Sequence, residues 1–471
     1  MTSTTGTTAR TGSAPALLAV LLPAMLATVI ASDMVNLVLP AIGTEFGASE
    51  AELAWVVTGF LLMFSVGIPF YGRISDRVSL RRLFCFALLA YAAGSLICAL
   101  APDLLVLVLG RVVMGVGAAA IPVLSIIAVT TLMPADRRGA GIGVISASAG
   151  IGTAAGPAVG GGIGQFLGWP ALFWIMLAIA LVLLPAAARV LPGDAPSGAG
   201  RFDLPGGILL GLGAGLVLFG ITQAQVSGLA APSSWASLAV AVVAIALFGW
   251  RTARVAEPFV PPALFADPVY RAAVVIAFLA MIVNLGGLVL VPLLVVDVNG
   301  LGPGAGALVM IPAGVAVAAV SPLIGRLSDR VGTRPLVLAG LAAMGLFAVF
   351  LSACAGGTSV IPAGIGVLGL GVGFIFVLTP IISAAAGTLP GDRVGVGIGI
   401  LQGAQFLGAG TGPALLGALV TARQQSGAGA VNPLFPGHEG AAYSDAFLAM
   451  AAVVVLALVV AVRMRPRAAA G

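Results

Sequence analysis

The sequence has no lysine, a single histidine (His438), three cysteines (Cys85, Cys98 and Cys354), and charge on only 8% of its 471 residues. Each shortage excludes something. One imidazole in a polar stretch supplies neither a histidine-rich metal centre nor a catalytic triad. The cysteines stand in or beside apolar stretches and read as small buried hydrophobes, not as a disulfide or metal set. Without lysine there is no G-x-x-x-x-G-K-[ST] loop, so ATP-driven work is not expected. The glycine-rich stretches 369–374 and 394–399 sit inside apolar runs. A dinucleotide loop must follow a strand and open a helix in water, so these are not such loops. Soluble domains carry about 25% charged residues, and this chain falls far short of that.

What is present is 60% hydrophobic residues and a mean hydropathy of +1.17. No soluble core of this size absorbs so much apolar surface, so the class is an all-α polytopic membrane protein. A spanning helix takes about 20 apolar residues. About fourteen such runs follow one another, the first expected over 15–40 and the fifth over 139–166. Pro, Gly and charge separate them, as at 134–138, 192–194 and 390–393. The first apolar run, 14–31, exceeds the ~7–15 residues of a signal-peptide core and reads as a retained helix.

Arginine counting orients the chain. With both termini cytoplasmic, 19 of the 21 arginines face inward; the exceptions are Arg111, inside a span, and Arg423. The outer loops then carry Glu45, Glu50, Glu52, Asp103, Glu439 and Asp445. The net charge of +5 follows from topology and does not call for a nucleic acid partner.

One charged phrase is written twice. GRISDRVSLRR (72–82) returns as GRLSDRVGTRP (325–335), 253 residues later. PADRRGAGIG (134–143) returns as PGDRVGVGIG (390–399), an offset of 256, and the same alignment sets GTAAGPAVGG (152–161) on GAGTGPALLG (408–417). The offset is eight spans, so the halves are parallel repeats about an axis along the membrane normal. The expected organisation is a tail (1–14), a six-helix half (15–190), an inserted helix pair with its loops (191–268), a second six-helix half (269–463) and a tail (464–471). Scattered topology-setting arginines would not produce such a repeat.

On these phrases the chain resembles the major facilitator superfamily, in particular its fourteen-helix drug:proton antiporter branch. The resemblance implies two six-helix halves plus two inserted helices, and FDLPG (202–206) resembles the phrase opening that insertion. The charged phrase resembles the family's motif A. Gly72, Asp76, Arg77 and Arg81, with Gly325, Asp329 and Arg330 in the second copy, are then inner-gate residues. Asp76 is expected to face the span starting near Gly395, and Asp329 the span starting near Gly139. Such pairs would hold the inner gate shut.

RVVMGVGAA (111–119) resembles motif B. A membrane-buried arginine costs about 2.5–3.5 kcal/mol and is kept for an acid or a carbonyl. Asp33 and Arg111 lie at similar expected depths, so they are candidate proton-coupling partners, with a static structural pair as the alternative. SDMVNLVLP (32–40) resembles the family's first-helix signature at Asn36 and Pro40. Asp33 stands two residues beyond the usual acid position, where this chain has Ala31. GIGTAAGPAVGG (150–161) resembles motif C, the antiporter signature. Gly152, Gly156, Pro157, Gly160 and Gly161 are its members, expected to form a rocking seam between halves. Candidate cavity residues are Asn36, Thr58, Phe64, Asn284, Phe376, Gln402 and Gln405, each of which could equally be a packing residue.

The expected function is a proton-coupled antiporter exporting hydrophobic drugs or natural products, with no enzymatic activity and no cofactor. The proton gradient would be its energy source. Its expected partners are a small hydrophobic substrate, protons and the lipid bilayer, and it is expected to be a monomer in the plasma membrane. The alternatives are a secondary transporter of a defined metabolite and, from another class, a receptor or membrane enzyme. No catalytic constellation supports the last.

Overall fold

The computed structural model describes residues 14–193, 203–227, 231–301, 303–354, 356, 359–427, 429–435 and 439–464. His438, Phe202 and most of both tails lie outside the described residues. The protein is all-helical: α1 (Ala14–Asp33), a short α2 (Leu39–Phe46), α3 (Glu50–Ser75), α4 (Leu80–Ala99), α5 (Leu104–Leu132), α6 (Arg138–Leu167), α7 (Trp169–Val190), α8 (Leu204–Ser227), α9 (Pro232–Thr252), α10 (Pro268–Asp297), α11 (Pro303–Val331), α12 (Thr333–Ala353), α13 (Ile361–Thr388), α14 (Val394–Ser426) and α15 (Ala441–Val462).

Among the described residues, fourteen of these helices reach 20 residues or more. Thirteen are long and apolar enough to cross a membrane. The fourteenth, α6, is diluted by glycine, alanine and serine, and it packs between α1 and α11. Large apolar side chains such as Phe86, Leu89, Leu105, Val242 and Leu346 are exposed around the bundle. Lipid is their solvent, and helices are the element that satisfies its own backbone there. The chain is a multi-pass membrane protein.

Local signals set the helix ends. Ser49 and Glu52 close a capping box at the start of α3. The Asp103 carboxylate accepts from the Val106 N–H at 2.9 Å to open α5. Asp267 accepts from Val269 and Tyr270 N–H at 2.8 and 3.1 Å to open α10, with Pro268 in the first turn. Pro134 and Pro390 precede matching 3₁₀ turns, 135–137 and 391–393, that lead into α6 and α14.

The packing repeats as the sequence does. α1 packs on α6 as α10 packs on α14, α3 on α5 as α11 on α13, and α4 on α5 and α7 as α12 on α13 and α15. The main contacts between halves are α3 with α14 and α6 with α11, which the repeat interchanges. The pair α8–α9 lies on the first of these seams, α8 touching both α3 and α14.

The inserted pair is fastened by one acid. Asp203, its side chain 1% exposed, accepts from Arg251 at 2.7 Å at the far end of α9. It also accepts from the N–H groups of Gly206 and Phe259, both at 3.1 Å. Burial alone would push this carboxyl up, but those donors hold it below its ordinary value. Phe259 is buried, its ring 5.2 Å from that of Phe70 on α3.

The first span differs from its expectation. Regular helix stops at Asp33, a 3₁₀ turn covers Met34–Leu37, and α2 begins at Leu39. Pro40 has no N–H to offer the carbonyl of Asn36, so a continuous helix through 40 loses a bond and breaks there. Asp33 therefore sits at a helix end, not in mid-helix.

Replacing Asp203 by alanine strands Arg251 and two N–H groups. It should lower stability by about 3 kcal/mol, as expected for a broken buried pair. A thermal melt of the purified protein reads this, and an unchanged midpoint would mean that Asp203 does not fasten the insertion.

Candidate functional site

Two latches close one end of the bundle, and each is a carboxylate on the N-terminus of a helix in the other half. Asp76, which ends α3, accepts from Gly395 N–H at 2.7 Å and Val396 N–H at 3.0 Å on α14. Asp329, on α11, accepts from Gly139 N–H at 3.0 Å and Ala140 N–H at 3.2 Å on α6. The first N–H groups of a helix lack intrahelical partners and carry the positive end of its dipole. Each acid satisfies two of them.

Glycine makes the approach possible. A Cβ on Gly72 would stand 2.6 Å from the Gly395 carbonyl, and one on Gly325 would overlap that of Gly139. A Cβ on Gly395 or Gly139 would strike the Asp76 or Asp329 carboxylate itself. The latches thus need glycine on both sides.

The arginines of the two copies diverge. Arg73 lies 4.0 Å from Asp76, and Arg77 lies 3.8 Å from Glu257 in the loop after α9. Arg81 Nε donates to the Leu191 carbonyl at 2.7 Å, and its backbone N–H donates to that of Pro192. Arg330 is exposed and makes no ion pair among the described residues. Among the described residues, only the first latch is tied to the inserted pair.

Arg111 is fully buried. Its Nε donates to the Val56 carbonyl and one Nη to that of Ala31, both at 3.0 Å, and the guanidinium lies 4.2 Å from the centre of the Phe60 ring. No ion pair joins it to Asp33 among the described residues, so the expected acid partner is replaced by two carbonyls. Its second terminal nitrogen is buried without a partner.

The motif C stripe also lies elsewhere than expected. A Cβ on Gly152 would meet Val29, one on Gly156 the Cβ of Asp33 at 3.0 Å, and one on Gly160 the Met34 carbonyl. Gly152 and Gly156 face α1, and Gly160 the 3₁₀ turn that follows it, all in the same half. Gly139, Gly143 and Gly150 face α11 instead and form the seam between halves. Gly161 is half-buried; the side chains of Pro157 and Asn36 are not among those described. In the second half, Gly408 and Gly412 meet Phe278 and Ile282 of α10 in the same manner.

Some candidate cavity residues converge and some do not. Phe64 is 5.8 Å from Phe60 and, across the seam, 4.7 Å edge-on from Phe406 of α14. Gln402 and Gln405 are buried on α14, with Oε1 of the first and Nε2 of the second unpartnered. Thr58 and Asn284 are half-buried. Phe376 turns its Cβ to Gly340 of α12, inside its own half. Sequence reasoning missed the Arg77–Glu257 tie and the role of Asp203. The signal for the second was an isolated acid directly before Leu-Pro at a helix start.

The model of the Major Facilitator Superfamily matches residues 21–413 and 319–471. A "Multidrug resistance protein Stp" of Mycobacterium tuberculosis is 32% identical over 392 residues, 83% of this chain and 72% of the relative. A "Lincomycin resistance protein LmrB" of Listeria monocytogenes is 28% identical over 391 residues, 83% of each. The crystal structure of the human organic anion transporter MFSD10 superposes with a TM-score of 0.67 at 16% identity, covering 96% of this chain and 100% of that one. At that identity it shares the fold.

Burial pushes the Asp76 carboxyl from 3.8 up to about 6; the N–H groups of Val396 and Gly395 and the charge of Arg73 oppose this, and Asp392 adds to it. A carboxyl raised in the latched form favours latching where it holds its proton. The contribution is complete below about 3.8 and is lost as pH rises through about 6, worth roughly 3 kcal/mol across that window. Distance measurements between labels on the latched ends of α3 and α14 should show the closed fraction falling through that window, and Asp76→Asn should flatten the curve. The same pH dependence in both proteins would remove Asp76 as its source.

Proposed function

The chain belongs to the major facilitator superfamily, and from that membership we propose that it is a proton-coupled antiporter of the fourteen-helix branch, exporting hydrophobic drugs or natural products. The observation that carries this reading is the pair of latches. Two halves held together at one end by carboxylates on helix starts can part there and rock about a central site. The names of the relatives support drugs or antibiotics as the cargo. The inserted pair α8–α9 supports the branch. Asp76 and Asp329 act as inner-gate residues, the arginine-rich end faces the cytoplasm with both termini, and the protein works as a monomer in the plasma membrane.

Asp33 carries the proton. It sits where α1 stops, against Gly156, and two residues beyond the carbonyl that Arg111 grips. The unpartnered terminal nitrogen of Arg111 is a donor awaiting an acceptor. When Asp33 gives up its proton, a modest turn of α1 brings its carboxylate to that donor; when it regains one, the attraction lapses. Cargo enters beside Phe64 and Phe406. The free Gln402 carbonyl and Gln405 amide suit a largely apolar compound with one donor and one acceptor. The same two groups are what favours the second reading, a transporter of one defined metabolite.

The test is proton release from acid-loaded inside-out vesicles challenged with lipophilic dyes and antibiotics. Substrate should trigger release in the wild type, and Asp33→Asn should abolish it while leaving the amount of inserted protein unchanged. Release retained by the variant would move the proton site off Asp33. Silence of the wild type towards the whole panel, with transport of a polar metabolite, would overturn drug antiport.

A further inference from the structure

A cavity of about 230 Å³ lies where the inserted pair meets the α3–α14 seam, one helical turn from the Gly72–Gly399 contact of the first latch. Its walls come from three bodies. Ser65 belongs to the first half, Gly403, Ala404 and Leu407 to the second, and Ala214 to the inserted helices, while Phe265 closes it from the loop before α10. Ser65 supplies the only side-chain polar group among these residues, and none carries charge. The residues proposed above for cargo, Phe64, Gln402, Gln405 and Phe406, are not among its lining.

Three features narrow the occupant. The lining offers a hydrocarbon surface and no counter-ion, which rules out a charged guest inside. The volume falls below the ~300–1,000 Å³ of pockets that enclose drug-sized molecules, so it takes a segment of an acyl chain whose remainder lies along the bilayer. The third is the charge at the rim. Arg271, exposed, donates to the carbonyl of the lining residue Phe265 at 3.1 Å. At the same end of the insertion Arg254 lies 4.6 Å from the exposed Trp250 ring. A cation beside an interfacial tryptophan is where a membrane surface presents headgroups, and exposed arginines there attract anionic ones.

We propose that this cavity binds one acyl chain of an anionic phospholipid, with its headgroup against Arg271 and Arg254. The bound chain bridges both halves and the insertion, so it fills the wedge that the insertion leaves open beside the first seam. The second seam, α6 with α11, has no inserted helices over it and gains no such site. The proposal concerns binding alone and stands whether or not the protein exports drugs.

The experiment uses the full chain purified in micelles with a trace of phosphatidylglycerol carrying a photoreactive diazirine midway along one acyl chain, and maps the adducts by mass spectrometry. Adducts should concentrate on the inserted helices and α14, at positions such as Ala214 and Leu407. They should exceed those on Leu105 and Leu109, which are exposed on the opposite half at α5. Ala214→Phe, which fills the cavity, should remove most of this labelling while labelling of Leu105 and Leu109 persists. Ala404→Leu provides the same test from another wall if the first variant does not fold. Arg271→Gln should reduce the preference for phosphatidylglycerol over a phosphatidylcholine probe with the same chain. Labelling spread evenly around the bundle, or unchanged by both filling variants, would overturn the site. Chain labelling with equal yield from both headgroups in the wild type would overturn the anionic assignment.

Discussion

A carboxylate can cap a helix to which it does not belong only if two backbones come close enough for a short side chain to reach. That constraint organises this molecule. Asp is the shortest acid, so Gly72 and Gly325 must give up their side chains, and Gly395 and Gly139 must do so on the receiving helices. The acids then meet N–H groups that would otherwise be bare. At the latches the seam is built from backbone and small residues because larger side chains there would hold the helices apart, whereas further along it Phe64 meets Phe406. The interaction also has a built-in opposition. Each charge-assisted bond contributes about 1.5–3 kcal/mol, while withdrawing a carboxylate from water costs several. That the Asp76 carboxyl is raised says the cost outweighs the bonds.

The two halves repeat the latch but not its surroundings. The inserted pair rests on the α3–α14 seam alone, and the loop behind it meets Arg77 through Glu257. The corresponding Arg330 stands in the open. Asp203 binds the start of α8, the end of α9 and the backbone of Phe259 at once. With this attachment on one seam, the two seams of the repeat are not equivalent in their packing. The symmetry of the sequence is therefore broken by the inserted pair α8–α9 and its loops, not by the contact between each acid and its helix start.

Much of the architecture was legible in the sequence because it rests on composition and repetition. Apolar length marks a span whatever its neighbours, and an offset shared by several phrases fixes which helices correspond. The reach of Asp76 to the start of α14 followed from the resemblance, since both partners lie in recognisable phrases. What failed was anything set by the direction a side chain or helix face takes. The glycines from 150 to 161 were expected to face the other half. A helix has several faces, and spacing alone does not say which face meets which neighbour; here Gly150 turns to α11 while Gly152, Gly156 and Gly160 turn to α1 and the turn after it. Phe376 misled for the same reason. The Asp203 network and the Arg77–Glu257 tie join residues distant in sequence through loops without periodicity, so no pattern announced them.

The break after Asp33 shows how one proline can shape a site it does not touch. Pro40 ends regular helix geometry upstream of itself, so α1 stops at the acid and the next turn tightens. A helix end has carbonyls without intrahelical partners, and a buried carbonyl without a partner is costly. Arg111 supplies that partner at Ala31 and a second one at Val56 of α3. The arginine thus earns its place in the membrane by joining α1, α3 and α5 where α1 is weakest. An arginine paired to Asp33 would have fixed the acid as a static counter-ion. One bound to the neighbouring carbonyls leaves the acid outside that grip while holding the helix end that carries it.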